Sequence, residues 1–117
     1  MSGNDFEQEA RRVAALWAFI RQIVTVDKSD YAVKLRLHVD KECFVQVYAN
    51  THKELFSYTL VLNRARIYGR DCDGGIWHRH PLHAPDTHDF SIQGREAVSL
   101  AHFLAEAQQI LQDRLIL

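Results

Sequence analysis

In YAVKLRLHVD, residues 31–40, the side chains Tyr31, Val33, Leu35, Leu37 and Val39 alternate with Ala32, Lys34, Arg36, His38 and Asp40. Successive side chains of an extended chain point to opposite faces, so this period of two predicts a β-strand with one buried and one polar face. A polar turn at residues 40–42 leads into residues 43–49, rich in the β-formers Phe44, Val45, Val47 and Tyr48, and the two segments read as a hairpin. A second turn at residues 50–53 is followed by LFSYTLVL, residues 55–62, as a third strand. Residues 64–69 read as a fourth strand entering a Gly-rich turn at residues 71–75, and residues 75–80 are a candidate fifth. Every connection is short, which predicts an antiparallel meander, because parallel strands need long crossovers.

Helical periodicity flanks these strands. Val13, Leu16, Trp17, Ile20 and Ile23 recur at helical spacing, with Asp5, Glu7 and Glu9 near the start and arginines later, so residues 5–24 are predicted to be helical. Trp17 is expected to anchor the core. Leu100, Phe103, Leu104, Ala107 and Leu111 form a second stripe behind the N-cap candidate Ser99, predicting a helix over residues 100–114. The apolar end Leu115, Ile116 and Leu117 either packs back or serves an interface, such as that of a homodimer. The predicted fold is a single α+β domain over residues 1–117: one antiparallel meander sheet of four to five strands, with the N- and C-terminal helices packed on one face.

Composition bounds the function. The chain has 117 residues, 47% apolar and 25% charged, as soluble globular domains do. A net charge of −1 rules out a global basic field, so nucleic-acid binding would rest on a local patch. Between residues 64 and 79, Arg64, Arg66, Arg70 and Arg79 stand against Asp71 and Asp73, a surplus of two. Cys43 and Cys72 lie far apart without companions, which argues against a zinc knuckle or disulfide scaffold and for reduced thiols in a cytoplasm. Residues 1–9 lack the basic start and apolar core of a secretory signal, and no apolar run is long enough to span a membrane.

The chemistry gathers in RARIYGRDCDGGIWHRHPLHAPDTHDF, residues 64–90, which holds four of the seven histidines and both prolines. If the segment around His78 and His80 is extended, both imidazoles project from one face, while Arg79 projects from the other. Imidazole is both the side chain that titrates nearest neutrality and the commonest metal ligand. His78 and His80 with one of His83, Asp86 or His88 could hold zinc. The competing reading is a plain surface loop or partner-binding rim. Against it stands the co-location of four imidazoles, an Asp and a Trp beside a tight glycine turn.

Two resemblances follow from these residues. His78-Arg79-His80-Pro81 resembles the His-x-His-Pro core of JAMM-type zinc isopeptidases, which implies a zinc hydrolase with His78, His80 and His83 as candidate ligands. The match covers four residues, and the Ser and Asp of that family do not follow at its spacing. Over most of residues 31–112, the chain resembles the TumE-like toxins of toxin–antitoxin modules. The resemblance rests on Tyr68-Gly69-Arg70-Asp71, an aromatic-x-x-Asp element, followed by a His- and Pro-rich segment; Arg66, Asp71, His78, His80, Pro81 and His88 match the pattern. It implies a small antitoxin as partner, RNA as substrate and no cofactor. His78 and His80 would then serve as acid and base, with Asp71 orienting a histidine and His88 beside them. Arg66, Arg70 and Arg79 would meet phosphate, and Tyr68 or Trp77 would stack a base.

Overall fold

The computed structural model describes residues 2–117. Its elements run α1 (Gly3–Ala14), β1 (Gln22–Lys28), β2 (Ala32–His38), β3 (Cys43–Asn50), β4 (Leu55–Leu62), β5 (Ala65–Asp73), β6 (Ile76–His80) and α2 (Leu100–Asp113). The six strands form one antiparallel sheet in the order β1-β2-β3-β4-β5-β6. The α+β class and the meander are as the sequence predicts, but the sheet has six strands where four to five were expected.

The extra strand comes out of the segment predicted as helix. α1 starts with a capping box, in which the Ser2 hydroxyl accepts from the Asp5 amide and the Asp5 carboxylate accepts from the Ser2 amide. It ends at Ala14, where Leu16 and Trp17 amides turn back onto the Val13 and Ala14 carbonyls, and Leu16 is left 77% exposed. Residues 23–26, Ile-Val-Thr-Val, are then an unbroken β-branched run, which loses side-chain freedom in a helix and packs well in a sheet. It pairs with β2, Ile23 opposite Leu37 and Thr25 opposite Leu35. Trp17 is half-buried and meets Phe19 edge-on at the rim of the core.

Two tight hairpins set the register at the far end of the sheet. Asn63 and Arg64 both take positive φ between β4 and β5, and Gly74 and Gly75 do so between β5 and β6. Two consecutive positive φ values match the twist of paired strands, and glycine adopts them without steric cost. The glycine turn is therefore only two residues long. β5 runs on to Asp73 instead of stopping at Gly69, and Asp71 lies in the sheet, not in a loop.

Alternation divides the sheet into two faces. Val33, Leu35 and Leu37 on β2, Val45, Val47 and Ala49 on β3, and Tyr58 and Leu60 on β4 are buried in one cluster. That cluster also takes in Ala10 and Ala14 of α1 and Phe103, Leu104, Ala107 and Leu111 of α2. Phe103 lies against Tyr58 and Tyr68 at ring separations of 5.6 and 5.7 Å. Each fully buried Leu or Phe here contributes about 1.5–3 kcal/mol by leaving water. The other face carries Lys34, Arg36, Phe44, Gln46, Tyr48, Ser57 and Thr59, all half-buried. Ile116 packs back on the core, whereas Leu115 and Leu117 are exposed. Among the described residues no helix is long and apolar enough to cross a membrane.

Candidate functional site

The register of β5 and β6 builds the site. Asp71 pairs with His78 and Gly69 with His80, so Asp71, His78 and His80 all project from the face opposite the helices. His80 lies over Gly69, where a Cβ would touch the His80 ring at an ordinary 3.6 Å and crowd the Tyr58 carbonyl oxygen at 3.3 Å. After Pro81 the chain loops back, and Asp89 pairs with Arg79 through both backbone hydrogen bonds, at 3.1 and 2.8 Å. Alternation about Asp89 then turns His88 and Phe90 toward His78 and His80.

The result is a compact cluster. The Nε2 atoms of His78 and His80 are 3.2 Å apart, and Asp71 Oδ2 lies 3.1 Å from His80 Nε2 and 3.5 Å from His78 Nε2. His88 sits with its ring centre 4.8 Å from that of His78 and 4.9 Å from that of His80. One ligating nitrogen from each histidine lies within 4.8 Å of the others. His80 is almost fully buried, and its Nδ1 is 3.0 Å from the Pro85 carbonyl oxygen. The Ser57 hydroxyl donates to Asp71 Oδ1 at 2.7 Å, which turns Oδ2 toward the histidines. Burial lowers the pKa of His78, Asp71 opposes that shift, and the neighbouring His80 and His88 lower it further. Phe90 covers one side of His78 at 5.4 Å, and a cavity of about 370 Å³ opens between His78, His88, Phe90, Ile76 and Asp73.

The remaining residues singled out by the sequence are distributed differently. Of the five proposed to contact substrate, only Arg66 shares the cluster's face, with its guanidinium 4.0 Å from Asp86 Oδ1 on the returning loop. Arg70, Arg79, Tyr68 and Trp77 lie on the helix side. Arg70 bonds Glu106 at 2.8 and 3.1 Å and the Gln93 carbonyl at 2.8 Å; Arg79 bonds Asp89 at 2.6 and 2.9 Å. The Tyr68 hydroxyl donates to Glu106, and burial with that carboxylate pushes its pKa up to about 12. Trp77 packs beside Tyr58. His83 stands apart from the cluster, lining with His102 and Glu106 a separate cavity of about 580 Å³ against α2. The downstream carboxylates that a JAMM-type site would need are elsewhere too: Asp86 is 99% exposed and Asp89 is held by Arg79.

Three contributors escape sequence reasoning. Ser57 reaches the site because β4 places it opposite Asp71, Pro85 contributes only its carbonyl, and Phe90 arrives through the loop's pairing with β6. None carries a local motif. No protein family, curated protein or solved structure matches the chain.

Proposed function

We propose that the chain binds single-stranded RNA across the open face of the sheet and acts on its phosphodiester backbone at the Asp71, His78, His80 and His88 cluster. The observation that carries this is the band of side chains beside the cluster. Two register rows run from it, one through Ser57, Tyr48 and Lys34, the other through Thr59, Gln46 and Arg36. From β6 to β2 is four strand spacings, roughly 19 Å, enough for several nucleotides.

Each part of that band suits a part of an RNA strand. Tyr48 and Phe44 offer ring faces for bases, Ser57, Thr59 and Gln46 offer partners for the 2′-hydroxyl, and Lys34, Arg36 and Arg66 offer charge for phosphates. The Arg36 guanidinium lies 4.8 Å from the Phe44 ring centre, and its buried Nε has no hydrogen-bond partner among the described residues. The outer N–H groups of this half-buried guanidinium are the donors that a phosphate oxygen would meet. Asp27 stands opposite Lys34, and Asp71 and Asp73 lie at the cluster end, whereas Arg36, over the middle of the face, has Val24 and Gln46 as its register partners and no acid. The resemblance to TumE-like toxins adds the biological role: an RNA-directed toxin of a toxin–antitoxin module, with the antitoxin covering this face.

Fluorescence anisotropy with a labelled single-stranded RNA, in EDTA, tests the binding. Arg36→Ala combined with Tyr48→Ala removes a phosphate contact and a stacking platform, and should weaken binding about ten- to a hundredfold. The His78→Ala, His80→Ala double variant should keep binding but lose RNA breakdown and the growth arrest caused by expression. Unchanged affinity in the open-face variant would sink the proposal.

A further inference from the structure

We infer that His78, His80 and His88, with the carboxylate of Asp71, form a binding site for a divalent transition metal ion of the zinc class. The first support is size. The Nε2 atoms of His78 and His80 and Oδ2 of Asp71 form a triangle with edges of 3.1, 3.2 and 3.5 Å. Four ligands around zinc at 2.0–2.1 Å stand about 3.3–3.4 Å from one another, so this triangle has the dimensions of one face of a tetrahedral site. His88 supplies the next ligand from the returning loop, its ligating nitrogen within 4.8 Å of the other two histidines'.

The second support is the direction of the lone pairs. A carbonyl oxygen only accepts, so the bond at 3.0 Å to Pro85 places a proton on His80 Nδ1 and points Nε2 into the cluster as the atom free to ligate. It faces a carboxylate oxygen at 3.1 Å and a second imidazole nitrogen at 3.2 Å. A single proton on Nε2 can be directed at one of these partners; a cation between them is attracted to all.

The third support lies behind the ligands. Ligating histidines commonly donate their other ring N–H to a carbonyl, and ligating carboxylates are themselves hydrogen-bonded. Pro85 holds His80 in this way, and Ser57 holds Asp71 through Oδ1 while leaving Oδ2 free. Three imidazoles and one carboxylate suit zinc, cobalt or nickel over magnesium or calcium, which favour oxygen ligands. The arrangement also disfavours a metal-free acid–base pair. In-line displacement puts attacking and leaving oxygens on opposite sides of phosphorus, whereas these two Nε2 atoms face each other with no room for a phosphoryl group between them.

Metal binding does not depend on RNA being the substrate, and the two are separable in one set of measurements. The purified chain is stripped with EDTA and titrated with zinc by calorimetry and with cobalt by visible absorption. One ion should bind per chain, with the intense absorption of a tetrahedral cobalt site. His80→Ala and His88→Ala should each weaken zinc binding about a hundredfold, Ser57→Ala about tenfold, and His83→Ala not at all. His88 lies on an exposed loop, so its replacement tests the site even if the buried His80 variant fails to fold. Absence of one-to-one binding, an octahedral cobalt spectrum, or equal loss in the His83 variant would overturn the inference. RNA binding in EDTA by a chain that takes up no metal would overturn it while leaving the RNA proposal standing.

Discussion

Arg70 carries a permanent charge to a position only 3% exposed, on the helix side of the sheet, where Glu106 and the Gln93 carbonyl take up its donors. Taking a guanidinium out of water costs several kcal/mol, and the arrangement holds only because its partners are in place. Burial pulls the Arg70 pKa down, and the contacts with Glu106 and Tyr68 more than reverse this. Removing the carboxylate should therefore harm the protein more than removing the whole pair. Glu106→Ala should cost about 3 kcal/mol, at the low end for broken buried pairs because Glu106 is partly exposed. Arg70→Met with Glu106→Met, of similar volume and without charge, should recover most of that loss. Urea denaturation of the two variants checks this: if the double variant is the less stable, the pair itself stabilises the fold and the desolvation argument fails. Arg70 and Arg79 look alike in the sequence, and neither reveals that it serves the scaffold; that depends on acids at residues 106 and 89, brought in by α2 and by the returning loop.

At the scale of elements, α1 and β1 are joined by Glu7. Its carboxylate accepts from the Thr25 hydroxyl and pairs with Lys28 at 3.1 Å, which fastens the helix to the edge strand of the sheet. The Thr25 bond, then Lys28, lowers the Glu7 pKa below its ordinary 4.5. A carboxyl whose folded value is depressed adds stability above its unfolded value and loses it as pH falls through the folded one. Glu7→Gln should cost about 1–3 kcal/mol at pH 7, and the gap between the two proteins should narrow from about pH 4.5 downward. A gap of constant size from pH 7 to pH 3, measured by urea midpoints, would show that the charge is not what joins these elements. This junction is also where the sequence misleads. Val13 continues a genuine helical stripe, and Trp17, Ile20 and Ile23 fall on the same spacing by coincidence, because an apolar residue every third or fourth position also suits a turn followed by a short strand. The β-branched run at residues 23–26 was the better signal. β2 to β4 were legible because both alternation and turn residues agreed there, whereas the extension of β5 to Asp73 was hidden by the glycines that follow it.

Across the whole molecule, the two faces of one sheet divide the labour. The face toward the helices holds the core and the arginine pairs; the opposite face holds the imidazole cluster and the polar, aromatic band. Alternation alone makes that division predictable for His78, Arg79 and His80, once the segment is known to be a strand. What a single sequence withholds is which distant segments meet: Ser57 with Asp71, and His88 with His80. The same topology makes stability uneven. β3 is central, flanked by strands on both sides, while the β5–β6 hairpin closes one end of the sheet and, among the described residues, has only the short Asp89 bridge beyond it. Cys43 begins β3, is fully buried, and has its thiol pushed up to about 11, chiefly by burial and secondarily by Asp40. Cys72 is also buried and its pKa is raised, again mainly by burial, but it sits in that end hairpin opposite Trp77. Opening the hairpin exposes Cys72 at a fraction of the free energy that exposing Cys43 requires, since local openings of peripheral elements fall below the global value. In the single-cysteine variants Cys43→Ala and Cys72→Ala, an aromatic disulfide reagent at pH 8 should therefore label Cys72 about tenfold or more faster than Cys43, with only the Cys43 rate following global unfolding as urea rises. Zinc should slow the labelling of Cys72 selectively, because an ion held by Asp71, His78 and His80 would tie β5 to β6 in the register row next to the Cys72–Trp77 pair. Equal labelling rates, both tracking global unfolding, would mean that the hairpin opens only with the rest of the sheet.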